Sequence, residues 1–205
     1  MIKLNLFSKV VVTDQLNLST NQFNQINLNA KKETYTSTED KNSSKISKSL
    51  SVLDNLKTIK EIILKRFLKI NEDILKYDND FKITTSWYTK SSPGNIGEFH
   101  NHGNNFYSGI YYIDTSKDSG DIEFCDFSAS TFDLQPKEYT IDNSKAWHFK
   151  PINDMIIFFP SQLHHKIKLN ESNKDRYSLA FNIFPKGKIG YGDSILDLRG
   201  VIYKG

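Results

Sequence analysis

Residues 81–114 read FKITTSWYTKSSPGNIGEFHNHGNNFYSGIYYID. Away from the Gly, Pro, Asn and Ser of its turns, this stretch carries short β-like runs rich in aromatic and β-branched residues, with the two-residue period of strands. The pattern returns in GDIEFCDF (120–127), MIIFFP (155–160), HHKIKL (164–169) and RYSLAFNIF (176–184). Many short strands divided by turn residues predict a mainly β body of the sandwich, jelly-roll or barrel kind.

Upstream the period changes. Leu53, Leu56, Ile59, Ile63, Phe67, Ile70 and Ile74 recur at the three-and-four spacing of one helical stripe, which predicts a helix or two between residues 50 and 77, packed outside the sheet. IKLNLFSKVVV (2–12) suits a strand added at a sheet edge. KKETYTSTEDKNSSKISKS (31–49) offers little to bury and is expected to be a flexible loop. The expected layout is one structural domain. Residues 1–80 form the strand, loop and supporting helix, and residues 81–205 form the β body.

Charge and composition narrow the function classes. The 27 basic and 24 acidic residues are scattered, so no cationic stripe indicates nucleic acid. Cys125 is the only cysteine, which rules out an internal disulfide and a thiolate zinc site. The apolar run Met155 to Phe159 is far short of the roughly 20 residues that span a bilayer, and no signal pattern opens the chain. A soluble, cytoplasmic protein with no membrane partner is expected.

Histidines supply the chemistry. His100 and His102 stand two apart in a β-like run, so both point to one side and can hold two positions on one metal. A third imidazole from a later strand would complete a facial set with positions open for oxygen and an organic acid. Of the pair His164-His165, His165 fits: it shares a face with Ile167, whereas His164 aligns with Lys166 and Lys168 towards water. Arg176 follows eleven positions beyond His165, across the turn NESNKD, at the start of RYSLAFNIF. An arginine directed into a β interior needs a carboxylate, and its planar fork suits one. Ser178 shares its face, and by the same parity Tyr112 and Ser108 are further candidates for hydrogen bonds to that carboxylate.

These segments in order, SWYT, HNHGNNFYSGIYYID, SGDIEF, MIIFFPSQLHH and RYSLAFN, resemble the Fe(II) and 2-oxoglutarate-dependent oxygenases. The resemblance is greatest to the small prolyl-hydroxylase-like members of marine bacteria and their phages, and runs from about Trp87 to Phe184. It implies a double-stranded β-helix (a cupin-like jelly roll), iron at its mouth with His165 as the distal ligand, and Arg176 on the far carboxylate of 2-oxoglutarate. It also implies a hydroxylase that consumes oxygen, is stimulated by ascorbate, and acts on a prime substrate for which peptidyl proline is the first candidate. The sequence departs from the wider superfamily at His102, where His-x-Asp is usual; Glu98 or Asp121 is the alternative carboxylate ligand.

Two other readings are open. A cupin-type metal-dependent dioxygenase or isomerase also carries His-x-His, but Phe106 and Tyr107 occupy the places where its glutamate is expected. A non-catalytic jelly-roll binding domain would carry the histidines incidentally.

Overall fold

The computed structural model describes residues 2–4, 6–37, 42–127 and 134–199. The chain runs through β1 (Val12–Gln15), α1 (Thr20–Lys32), β2 (Tyr35–Thr36), β3 (Lys45–Ser47), α2 (Lys57–Ile70), β4 (Phe81–Ser91), β5 (Gly97–His100) and β6 (Tyr107–Asp114). It continues through β7 (Ile122–Cys125), β8 (Ala146–Phe149), β9 (Met155–Pro160), β10 (His164–Ile167) and β11 (Arg176–Pro185), and the described residues end in the small hairpin of β12 (Lys188–Ile189) and β13 (Leu196–Asp197).

Two antiparallel sheets carry the architecture. The larger has the order β1-β9-β6-β11-β4-β3-β2 and the smaller β5-β10-β7-β8, the arrangement of a double-stranded β-helix. The strands at the centre of the larger sheet are buried on both faces, so their two faces build two cores. On one face Tyr107, Tyr111, Phe158, Leu179 and Phe181 meet Ile26 and Ala30 of α1 and Ile59, Ile63 and Phe67 of α2. On the other, Ile110, Ile157, Phe159 and Ala180 meet Ile122, Phe124 and Ile167 of the smaller sheet. Each buried Ile, Leu or Phe among them contributes roughly 1.5–3 kcal/mol by leaving water, which is why MIIFFP is apolar throughout instead of alternating. Gly109 is required where it stands: a Cβ there would lie 2.3 Å from the Phe181 ring and 2.9 Å from the Ile157 carbonyl oxygen.

The helical expectation for residues 50–77 is met by a 3₁₀ turn at Val52–Asn55, then α2, then a π turn at Asn71–Leu75. The Asn71 side chain ends it by accepting from the Tyr77 N–H and donating to the Tyr77 carbonyl, with Lys76 left-handed at φ 61°. Ile74, at the end of the expected stripe, is exposed.

Three sequence expectations need correction. The strand expected over 2–12 starts only at Val12, because β9 offers pairing partners to residues 12–15 alone; Ile2, Leu4 and Leu6 are exposed. β1 does form the sheet edge. The loop expected over 31–49 begins inside α1 and contributes β2 and β3 to the larger sheet. Its serines are small enough to be buried and are repaid in hydrogen bonds: Ser44 donates to the Ile96 carbonyl, and Ser47 donates to Ser49 and accepts from the Tyr88 N–H. Residues 38–41 of that stretch lie outside the described residues. Finally, α1 stands in a segment for which no helix was expected. Its start is a capping box, in which Ser19 accepts from the Gln22 N–H and the Gln22 side chain accepts from the Ser19 N–H.

Candidate active site

His100 ends β5 and His165 lies directly opposite it on β10. His102 follows just beyond β5, its backbone N–H donating to the Ser161 carbonyl at 2.8 Å. The ring centroids of the three imidazoles are 4.4 Å (His100 to His165), 5.0 Å (His100 to His102) and 5.2 Å (His102 to His165) apart. One ring nitrogen from each lies within 4.8 Å of the others, and this cluster contains no carboxylate. Glu98 and Asp121, the alternative ligands, are therefore outside it: Glu98 accepts from Ser43, and Asp121 faces His148 at 3.6 Å.

Hydrogen bonding fixes two of the tautomers. Nδ1 of His100 is 2.7 Å from the Glu98 carbonyl and Nδ1 of His165 is 3.0 Å from the Leu163 carbonyl. A carbonyl can only accept, so each Nδ1 carries the proton and each neutral ring keeps its Nε2 lone pair for a ligand. Burial, then the neighbouring His100, lowers the pKa of His102 to about 4 and that of His165 to about 3. Both rings are neutral near pH 7, the form that binds a metal. His164 points away from the cluster. It stacks on Phe99 at 5.4 Å and approaches the Asn101 amide through Nε2.

The larger sheet supplies the opposite wall in register. Trp87, Ala180 and Ile110 form one row across β4, β11 and β6; Thr89, Ser178 and Tyr112 form the next; Arg176 sits opposite Ser91 beyond them. The three histidines, Tyr112, Arg176 and Ser178 line a single cavity of about 240 Å³. Arg176 is 1 % exposed. One of its terminal nitrogens donates to the Gly120 carbonyl at 2.9 Å and the Ser119 carbonyl at 3.4 Å. Gly120 is left-handed (φ 89°), and a Cβ there would lie 2.2 Å from the Lys168 carbonyl oxygen, so this approach needs glycine.

No carboxylate pairs with Arg176 among the described residues. Its Nε and the hydroxyls of Tyr112, Ser91 and Ser119 are buried without partners. Burial lowers the Arg176 pKa and raises that of the Tyr112 phenol to about 12, so Tyr112 remains a donor. A buried guanidinium beside orphaned hydroxyls is costly unless an anion completes it. The residues thus fit a carboxylate ligand at one part of the cavity and a metal at another.

Ser108 does not take part in this arrangement. Its hydroxyl donates to Asn182 and meets Ser161, and it does not line the cavity. Parity gave its face correctly, but its row lies two steps from Tyr112 along β6. Trp87, which faces His102 at 5.6 Å, and Ser43, Ser44 and Ile46 around β3 also line the cavity without having been singled out. The face that Trp87 shares with Thr89 could have indicated it; the polar segment 42–47 carries no such signal.

Residues 85–182, just under half the chain, match the profile of the family described as "Putative 2OG-Fe(II) oxygenase". No curated protein matches the sequence. Among solved structures the fold is similar to HygX from Streptomyces hygroscopicus, determined with nickel, 2-oxoglutarate and hygromycin B bound (TM-score 0.60, 8 % identity, 86 % of this chain and 83 % of that one). It is also similar to the non-heme α-ketoglutarate-dependent epimerase SnoN of nogalamycin biosynthesis (0.64, 9 %, 86 % and 78 %) and to a prolyl-4-hydroxylase from Pseudomonas putida (0.56, 12 %, 87 % and 94 %). Residues 85–182 thus carry the profile of the 2OG-Fe(II) oxygenases, within a double-stranded β-helix similar to the folds of these three enzymes.

Proposed function

We propose that the protein hydroxylates a C–H bond of a prime substrate, with Fe(II) held by His100, His102 and His165 and 2-oxoglutarate anchored by Arg176, Ser178 and Tyr112. The observation that carries this reading is the shared cavity, which brings three imidazoles together in one part and an unpaired buried guanidinium in another. Iron and 2-oxoglutarate bound there would supply the oxidative chemistry: with O2 as oxidant, 2-oxoglutarate would lose carbon dioxide and take one oxygen atom to become succinate, and the other oxygen atom would enter the substrate C–H bond.

The chain's own residues bind, orient and exclude water. Nε2 of His100 and of His165 is presented by the hydrogen bond each ring makes at Nδ1. The Arg176 fork suits the far carboxylate of the cosubstrate, with the Tyr112 phenol and Ser178 hydroxyl as further donors. Trp87, Ile110, Ile167 and Ala180 line the space between with apolar surface, so the cosubstrate is held out of bulk water. No side chain is required as a general base. Three neutral imidazoles leave the metal one unit more positive than a two-histidine, one-carboxylate set.

For the prime substrate, peptidyl proline is the class to test first, supported by the resemblance to prolyl hydroxylases and the likeness to the Pseudomonas putida enzyme. Small molecules are the second, because HygX, crystallised with hygromycin B, is at least as similar in fold. The test is succinate formation from 2-oxoglutarate with Fe(II) and oxygen, with ascorbate added, first alone and then with proline-containing peptides or small-molecule panels. Iron-dependent succinate, increased by one class, supports the reading. No succinate under any condition contradicts it.

A further inference from the structure

A buried chain of polar side chains runs behind the candidate metal site without lining the cavity. Thr85, Asn182 and Ser108 occupy one row across β4, β11 and β6. The Asn182 amide donates to Thr85 Oγ1 at 2.9 Å, and its carbonyl oxygen accepts from Ser108 Oγ at 2.7 Å. Ser108 Oγ is 2.8 Å from Ser161 Oγ. Since the single Ser108 proton goes to Asn182, the Ser161 hydroxyl must donate to Ser108. Ser161, Ser108 and Asn182 are all buried. So complete a network rigidifies what it holds.

What it holds is the segment that carries His102. The Ser161 carbonyl accepts from the His102 N–H at 2.8 Å, and the Ser161 N–H donates to the Phe106 carbonyl at 3.1 Å. Ser161 therefore grips both ends of the 102–106 turn, where Asn104 is left-handed (φ 61°). His102 needs such support more than its partners. It lies beyond the end of β5, and its ring nitrogens make no hydrogen bond among the described residues, whereas His100 and His165 are each oriented by a backbone carbonyl. Its ring is otherwise confined by Trp87 at 5.6 Å and Phe159 at 6.4 Å.

We propose that Asn182, Ser108 and Ser161 are positioning residues that fix His102 as the third metal ligand, acting through the Ser161 backbone instead of a hydrogen bond to the ring. The inference rests on the reading of His102 as a ligand. Outer-sphere partners of this kind typically account for 10- to 100-fold in metal affinity, and removing the Ser161 or Ser108 hydroxyl leaves every ligand in place.

The test is a double-mutant cycle read by Co(II) affinity and the visible Co(II) spectrum, without turnover. Wild type, Ser161→Ala and Ser108→Ala are compared, each also in a His102→Ala background, with cooperative unfolding of the metal-free proteins checked first. Ser108→Ala carries the test where Ser161→Ala does not fold. The expected result is an affinity about 10-fold weaker for each serine variant and no further loss once His102 is absent. Unchanged affinity in the serine variants, or an equal loss with and without His102, overturns the positioning role while leaving the ligand reading intact. Co(II) binding as tight in His102→Ala as in wild type overturns both.

Discussion

His100 and His165 face each other across the β5–β10 pair, and the Nδ1 of each donates to the carbonyl of the residue two positions before it, Glu98 and Leu163. The two rings are thereby oriented by the same local device on neighbouring strands. Each keeps its Nε2 for the space between them.

His165→Ala is expected to abolish iron-dependent succinate formation, and His164→Ala to leave most of it. His164 is stacked on Phe99 on the far side of the strand, so its loss removes a packing contact and no ligand. Succinate assays on the two variants decide the matter; the opposite pattern would show that the strand presents the other histidine.

His102→Asp restores a carboxylate to the set and adds one negative charge at the metal. Fe(II) affinity should rise and the iron-to-2-oxoglutarate charge-transfer band should move to longer wavelength, because a more electron-rich iron gives up charge more easily. Titration of both proteins under nitrogen measures the shift. An unmoved band would mean that His102 does not touch the metal.

Arg176 should couple the cosubstrate to stability. At 2-oxoglutarate one hundred times its Kd, wild type should gain about 2.7 kcal/mol, which for a chain of this size is about 5–10 °C in Tm. Arg176→Met should lose most of that gain, while its own ligand-free Tm changes little, since relief of the guanidinium's burial offsets the donor lost to the Gly120 and Ser119 carbonyls. A full ligand-induced shift in the variant would remove Arg176 from the binding site.

Acid should weaken the metal-free fold. His102 and His165 have folded pKa values of about 4 and about 3 against 6.5 in the unfolded chain. Below pH 6.5 the unfolded state therefore takes up protons that the folded state does not, and stability falls with pH by up to about 1.4 kcal/mol per unit for each ring. The loss is complete only when the pH has passed through the folded values. Urea midpoints between pH 7 and 5 should fall, and less steeply in His165→Gln; an identical slope in that variant would contradict the assignment.

Strand parity carried much of the candidate site in the sequence. It separated His165 from His164 and set Arg176, Ser178 and Tyr112 on one face, because a period of two leaves little freedom once a strand is recognised. Parity gives a face and not a height along it, so Ser108 fell on the correct side and in the wrong row. The helix α1 was missed although Ser19 and Gln22 form a capping box, since the Asn-rich segment shows only a thin stripe through Ile26 and Ala30. The pocket wall from Ser43 to Ile46 was illegible for a different reason: its burial is compensated by hydrogen bonds from serines, which composition reads as solvent-exposed loop.

The most direct measurement is anaerobic titration of the protein with Fe(II) and 2-oxoglutarate, following the weak visible charge-transfer band in wild type and Arg176→Ala. A saturable band that needs both iron and cosubstrate is expected in wild type, with a much higher 2-oxoglutarate concentration for half-saturation in the variant. No band in wild type would contradict the oxygenase site itself, and a band with unchanged half-saturation in Arg176→Ala would contradict its carboxylate anchor.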